Sequence, residues 1–265
     1  MIRKLRKIRR HWAARLRPAS LPPLFWHIGT PNFGDDINPA FFEALSGVRT
    51  RFATNRDAVH FLGMGSILDR ATPQSIVLGA GLLEPRPPAP APMRCVALRG
   101  ALTAAALGID PAQVPLGDPM VLIDRLVRPD RGSDTGFIPH VRQIRSARGG
   151  LPAGMRLIDV GRDPWAVIRE IGHCRRIISQ SLHGLIVADA LGIPNLWLAP
   201  AANMTGGAFK FQDYFSTLDA PKTPHPLTAD LLHSPPAAEF SVGHYRGDKP
   251  EYHRLLAAAL QEGTP

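Results

Sequence analysis

The chain of 265 residues reads as an α/β protein of two halves, each built on parallel strands. Two observations carry that expectation. Short apolar runs ending in glycine or polar turns alternate with helical patterns in both halves. A polar, breaker-rich segment, Arg128-Pro-Asp-Arg-Gly-Ser-Asp-Thr135, then separates the halves. The expected division is a basic arm over 1–20, one α/β domain over 21–130 and a second, ending in a helix, over 131–265.

In the first half, Leu24 to Ile28 reads as a buried strand, with Gly29-Thr-Pro-Asn-Phe-Gly-Asp-Asp36 as the loop at its end. Asn38 is placed to cap a helix with Pro39 at its first position, running through Phe41, Phe42 and Leu45 to Gly47. Strands over Val59 to Leu62 and Ser75 to Leu78 end in Gly63-Met-Gly-Ser66 and Gly79-Ala-Gly81. Glycines there permit a tight turn or the close approach of a ligand, but neither doublet is a dinucleotide fingerprint. Glu84 to Pro92 reads as a stiff, extended surface loop. Cys95 to Leu98 is a strand leading through Arg99-Gly100 into a helix over Ala101 to Leu107, stopped by Gly108. Val114 to Pro119 is a turn, and Val121 to Val127 a short apolar segment.

The second half repeats the pattern. Strands are expected at Thr135 to His140 and Arg156 to Val160, followed by a helix capped at Asp163-Pro164 that carries Trp165, Val167, Ile168 and Ile171. A strand at Arg176 to Ile178 then enters the turn Ser179-Gln-Ser-Leu-His-Gly184. A helix from Leu185 to Leu191 follows, closed by Gly192 and Pro194. Pro194 to Leu198 is the next strand, Lys210 starts a short helix and Tyr252 to Gln261 forms the last one.

Charge narrows the partners. Eight of the 31 basic residues lie in residues 1–17, which hold no acid; the remainder carries 23 basic against 22 acidic residues. A nearly neutral body is not a nucleic-acid binder, so no nucleic-acid partner is expected. In the arm, Ile2, Leu5, Ile8, Trp12 and Leu16 recur at spacings of three and four, a pattern suited to a helix lying on an anionic membrane surface. No apolar run is long enough to span a bilayer, and no secretory signal follows the basic start. Cys95 and Cys174 lie far apart without metal-ligand spacing and are expected as buried thiols in a reducing compartment. No metal site is visible. The expected location is cytoplasmic, docked peripherally on the inner face of the membrane.

Polar groups gather at the ends of the expected strands, where open α/β sheets bind ligands: Asn32, Gly34, Asp35 and Asp36; Ser66; Arg99; Asp118; His140; Ser179, Ser181, His183 and Gly184; and Lys210. Bland readings exist for several. Asp35 and Asp36 could cap a helix, Arg99 could be a surface cation, Asp118 a turn residue and His140 a core-edge histidine. His183 stands out because its turn is short, polar and set between an apolar strand and an apolar helix. The helix start at Gly184 offers backbone amides to an anion.

Taken in order, Asn32-Phe-Gly-Asp-Asp36, Gly65-Ser66, Arg99-Gly100 with Thr103, Leu116-Gly-Asp-Pro119, Pro139-His140, Ser179-Gln-Ser-Leu-His-Gly184 and Lys210-Phe-Gln-Asp-Tyr-Phe215 resemble the polysaccharide pyruvyltransferases, over roughly residues 24–218. Each motif is short; the ordered set is far more specific. The resemblance implies two Rossmann-like halves in a GT-B-like arrangement with the ligand cleft between them. It implies transfer of a pyruvyl group from phosphoenolpyruvate to two hydroxyls of a hexose, giving a ketal and phosphate, on a lipid-linked or free oligosaccharide acceptor. No cofactor is implied beyond phosphoenolpyruvate as co-substrate. In that chemistry His183 would be the general acid and Asp35 or Asp36 the base. Asn32, Gly34, Ser66, Arg99, Asp118, His140, Ser179, Ser181, Gly184 and Lys210 would bind substrate. Many family members carry an arginine where this chain has Ser181, so the donor's charge must be met by serine and amides, or by Arg99 or Arg175. The alternatives are a GT-B-type glycosyltransferase using a nucleotide-sugar, or a catalytically silent glycan-binding subunit held at the membrane.

Overall fold

The computed structural model describes residues 12, 16–86, 94–201 and 204–263. Apart from Trp12, Leu16 and Arg17, the expected arm helix lies outside those residues, as does most of the loop from Glu84 to Pro92.

Two parallel sheets form the frame. The first contains β1 (Pro23–Phe25), β2 (Arg51–Phe52), β3 (His60–Leu62), β4 (Ser75–Leu78) and β5 (Arg94–Ala97), in the order β2-β1-β3-β4-β5. The second contains β6 (Thr135–Ile138), β7 (Met155–Leu157), β8 (Arg176–Ser179) and β9 (Asn195–Trp197), in the order β7-β6-β8-β9. Every strand pair within the two sheets is parallel, as expected. The helices are α1 (Phe33–Asp36), α2 (Asn38–Ser46), α3 (Ala101–Ala106), α4 (Pro164–Gly172), α5 (Leu182–Ala190), α6 (Phe209–Phe215), α7 (Ala229–His233) and α8 (Lys249–Glu262).

Strand order explains where a ligand would sit. In the first sheet the chain leaves β1 in one direction to β2 and returns past it to β3. In the second, β7 and β8 flank β6 in the same way. The loops after β1 and β3, and those after β6 and β8, therefore splay apart at the carboxyl ends of their strands, leaving a crevice at each switch point. Those four loops carry Asn32–Asp36, Gly63–Ser66, His140 and Gln180–His183.

The two halves share one continuous apolar core, running from Leu24 and Phe41 through Ile123 and Leu185 to Leu260. α5 packs on the 3-10 helix Pro119–Arg125, and α4 packs on α1. The last helix returns to the first half: α8 lies against α2 and β5. A backbone bond from Phe33 N–H to the Val160 carbonyl, 2.8 Å, ties the start of α1 to the second half. Among the described residues no helix is long and apolar enough to cross a membrane. Cys95 and Cys174 are both free thiols, the second buried.

Several boundaries differ from the sequence reading. The segment Val121 to Val127 is largely covered by the 3-10 helix Pro119–Arg125, because the Asp118 side chain accepts from Met120 N–H and Pro119 presets the first turn. α5 begins at Leu182 rather than Leu185: Ser181 has extended backbone and its hydroxyl accepts from Gly184 N–H at 3.4 Å, making it the N-cap. His183 and Gly184 consequently lie in the first turn of the helix, not before it.

Candidate active site between the two sheets

A cleft of about 280 Å³ opens where the two sets of strand ends meet. Its lining includes His27, Asn32, Asp35, Ser66 and Arg70 from the first half. His140, Gln180, Ser181, His183 and Lys210 come from the second. Seven of the sequence-derived site residues thus meet at one place: Asn32, Asp35, Ser66, His140, Ser181, His183 and Lys210.

The first wall is a hydrogen-bonded loop. Asn32 Nδ2 donates to Asp35 Oδ2 at 3.2 Å, and the Asn32 backbone N–H donates to Asp36 Oδ2 at 3.1 Å. The paired acids therefore divide: Asp35 lines the cleft while Asp36 holds the turn. Buried Asn38 fastens this loop to the next, accepting from Met64 N–H at 2.8 Å and donating to the Asp35 carbonyl at 3.0 Å.

His183 forms the floor. Its side chain is 8% exposed, and Nε2 has no hydrogen-bond partner. Gly34 lies directly against the ring: a Cβ built on that residue would stand 2.0 Å from His183 Nδ1. Gly34 is thus not a ligand contact but the vacancy the imidazole occupies. Burial pushes His183 down to about 4, against the pull of Asp35 and with Arg99 and Lys210 adding to the fall. The ring is neutral at pH 7. The ring therefore enters a reaction unprotonated and can act as an acid only after it has taken up a proton, which alters the general-acid role expected from sequence.

Cations come from places the sequence reading only partly found. Lys210, at the start of α6, has its ammonium 5.4 Å from the Phe211 ring centroid; burial and Arg99 push it down to about 8. Arg70, missed earlier, lines the cleft with its Nε 3.3 Å from Asp69. Its signal was weak, an ordinary cation in a short 3-10 turn. Gln180 was also passed over; its amide donates to the Ala199 carbonyl at 3.0 Å and its oxygen accepts from His140 N–H at 3.3 Å. Burial, Lys210 and Arg142 hold His140 down at about 4.

Five further expectations need correction. Arg99 is fully buried and outside the lining: it donates to Asp213 at 2.8 Å, to the Leu82 carbonyl at 2.6 Å and to Ser66 Oγ at 2.7 Å. It braces Ser66 from behind rather than holding a ligand. Gly81 makes room for it, since a Cβ there would lie 2.3 Å from the guanidinium carbon. Arg175 precedes β8, at the end remote from the cleft. Ser179 is spent on its own turn, accepting from Ser181 N–H at 2.9 Å and donating to the Ser181 carbonyl at 3.0 Å. The Gly184 amide is taken by the Ser181 cap, so it offers nothing to an anion. Asp118 is fully buried beneath the cleft, with Oδ2 3.7 Å from His183 Nε2.

Residues 82–201 match the family described as polysaccharide pyruvyl transferase. The chain is 31% identical over 215 residues to the succinoglycan biosynthesis protein ExoV of Rhizobium meliloti, covering 75% of this chain and 65% of that one. It is 31% identical over 201 residues to an uncharacterized protein of Acanthamoeba polyphaga mimivirus, covering 70% of each. The chain thus spans slightly under two thirds of the Rhizobium relative. A solved structure of a functionally uncharacterized Klebsiella pneumoniae protein superposes with a TM-score of 0.45 at 11% identity, over 86% of this chain and all of that one.

Proposed function

Because the chain belongs to the polysaccharide pyruvyl transferase family, we propose that it transfers the pyruvyl unit of phosphoenolpyruvate to two hydroxyls of a hexose in a surface glycan. The observation that carries this reading is the cleft itself, where a neutral buried histidine, a carboxylate and two cations from both halves face one small volume.

The first acceptor hydroxyl adds to C2 of the enol while C3 gains a proton, giving a tetrahedral carbon that still bears phosphate. The C2–O bond to phosphate breaks, and the second hydroxyl adds to the same carbon and closes the ketal. Neutral His183 takes the first hydroxyl's proton and, as imidazolium, delivers it to C3; such transfer contributes about a hundred- to ten-thousandfold. Asp35, across the cleft, takes the second hydroxyl's proton. Lys210 and Arg70 meet the donor's carboxylate and phosphate. Ser66 Oγ, already accepting from Arg99, keeps its own proton to donate to the same anion. Ser181 then has no need to stand in for the family's arginine, since it caps α5.

A neighbouring cavity shares Val141 with this cleft and adds Arg142, Arg145 and Arg148. It is where the unreacted remainder of a glycan acceptor would extend. Exposed Trp12 and Leu16 fit the reading of the basic arm as a membrane dock. Removing residues 1–16, which spares the Arg17 hydrogen bond to the Thr50 carbonyl, should lower sedimentation with anionic vesicles; unchanged sedimentation would remove that dock.

The test is phosphate release from phosphoenolpyruvate with a panel of oligosaccharide acceptors, alongside thermal unfolding with phosphoenolpyruvate or nucleotide-sugars. Stabilisation and turnover with phosphoenolpyruvate are expected. Turnover confined to nucleotide-sugars would reject the donor.

A further inference from the structure

We propose that Asp118 is a positioning residue for His183: its carboxylate accepts the Nε2 proton and so holds the imidazole with Nδ1 as the free base. The inference rests on the reading of His183 as the proton-transfer group.

Two enclosed atoms point at one another. Asp118 Oδ2 and His183 Nε2 are each buried without a hydrogen-bond partner, and they stand 3.7 Å apart. Buried polar groups are almost always satisfied, and leaving one unmet costs about 1–3 kcal/mol. Two such groups facing each other share one remedy, a bond between them. The separation exceeds a hydrogen bond by a few tenths of an ångström, and catalytic hydrogen bonds commonly tighten when substrate binds.

Both partners are held from outside the pair. Asp118 Oδ1 accepts from Met120 N–H at 3.0 Å, which fixes the carboxylate's rotation and aims Oδ2 away from its own backbone. The 3-10 helix Pro119–Arg125 that follows packs on α5, the element that carries His183. On the other side of the ring Gly34 leaves room for the imidazole and no more.

A carboxylate at Nε2 has a definite chemical consequence. An ionised carboxyl only accepts, so the neutral ring must carry its proton on Nε2 and leave the Nδ1 lone pair free. When Nδ1 takes a proton from the acceptor hydroxyl, the buried carboxylate supports the imidazolium that results. Asp35 from α1, Lys210 from α6 and Arg99 after β5 also face His183. Arg99, Asp213, Tyr214 and Tyr252 face Asp118. The Asp118 carboxylate stands 3.7 Å from Nε2.

The experiment is long-range ¹H–¹⁵N NMR of the imidazoles in histidine-labelled protein at neutral pH, with His183 assigned by its loss in His183→Ala. In the wild type, Nε2 should read as protonated and Nδ1 as unprotonated. In Asp118→Asn the single tautomer should be lost. The acid limb of kcat/KM for phosphoenolpyruvate should move to lower pH, and kcat should fall about tenfold or more with KM within a few-fold. A wild-type ring protonated on Nδ1, or an Asp118→Asn spectrum identical to wild type, overturns the proposal. The wild-type spectrum decides alone if the variant does not fold. Correct tautomers in a protein that never turns over phosphoenolpyruvate would retain the pair and reject the donor.

Discussion

Replacing Gly34 with alanine isolates the placement of His183 from every other effect. Gly34 lies in helix α1 and is not among the glycines with positive φ, so alanine fits its backbone. In a helix alanine gains up to about 1 kcal/mol over glycine. The added methyl, however, would stand 2.0 Å from Nδ1, 2.3 Å from Cγ and 2.8 Å from Cβ of His183. Ordinary contact begins near 3.4 Å, so the ring must retreat by roughly 1.4 Å. It cannot retreat freely, with Asp118 3.7 Å from Nε2 and Phe33 edge-on at a centroid distance of 6.3 Å. Overpacking of this kind costs about 1–3 kcal/mol, which the helix gain partly offsets. A misplacement of about 1 Å in a reacting group costs roughly a hundredfold in rate. Gly34→Ala should therefore unfold within a few degrees of wild type yet lose about a hundredfold in kcat for phosphate release. A variant that folds and keeps kcat within twofold would refute the placement of His183 at the reacting centre.

Other consequences are equally direct. Asp213→Asn leaves Arg99 buried without its counter-charge and weakens the bonds from Thr103 N–H and Oγ1; a loss of about 3–5 kcal/mol should appear in denaturant unfolding, partly recovered in Arg99→Met/Asp213→Leu. Ser181→Ala removes the cap of α5 and should cost about 1 kcal/mol while leaving the KM for phosphoenolpyruvate within a few-fold; a large rise in KM would return the serine to donor binding. Asp118→Asn should be more stable than wild type, by a margin that depends on pH. Burial raises the Asp118 carboxyl from 3.8 to about 6, so the folded state binds more protons between those values, and ionisation above pH 6 works against folding. The gain should thus grow as pH rises from 4 to 6 and level off near 3 kcal/mol, on the order of two pK units. A gain that shrinks with rising pH would contradict that assignment. His183 titrates oppositely, with its folded value depressed, so its own contribution to stability falls as pH drops from 6.5 towards 4 and offsets that of Asp118.

The architecture was legible because its signals are local. Alternating apolar strands and capped helices located the described strands to within a few residues, except the two-residue β2 (Arg51–Phe52), which no apolar run marked, and Asp163-Pro164 and Gly47 marked their helix ends as they do in the structure. The motifs also brought most of the cleft together in advance. What the sequence could not carry was the difference between a residue that faces the ligand and one that faces another residue. Arg99 and Asp118 sit in motifs as conspicuous as that of His183, yet both are fully buried and act through neighbours. Glycines read as openings for a ligand make room instead for the chain's own side chains, Gly34 for His183 and Gly81 for Arg99. Those relations join residues 149 and 18 positions apart, and no local pattern encodes them. Arg70 and Gln180 were missed because an isolated arginine and an isolated glutamine look like surface until the fold places them.

The activity proposed for the cleft is transfer of a pyruvyl unit onto a glycan. It is tested most directly by incubating the protein with phosphoenolpyruvate and oligosaccharide acceptors and recording phosphate release together with the proton NMR spectrum of the product. One phosphate should be released for each new ketal methyl singlet, with both lost in His183→Ala. Phosphate release without a ketal, or sugar transfer from a nucleotide-sugar with phosphoenolpyruvate untouched, would contradict it.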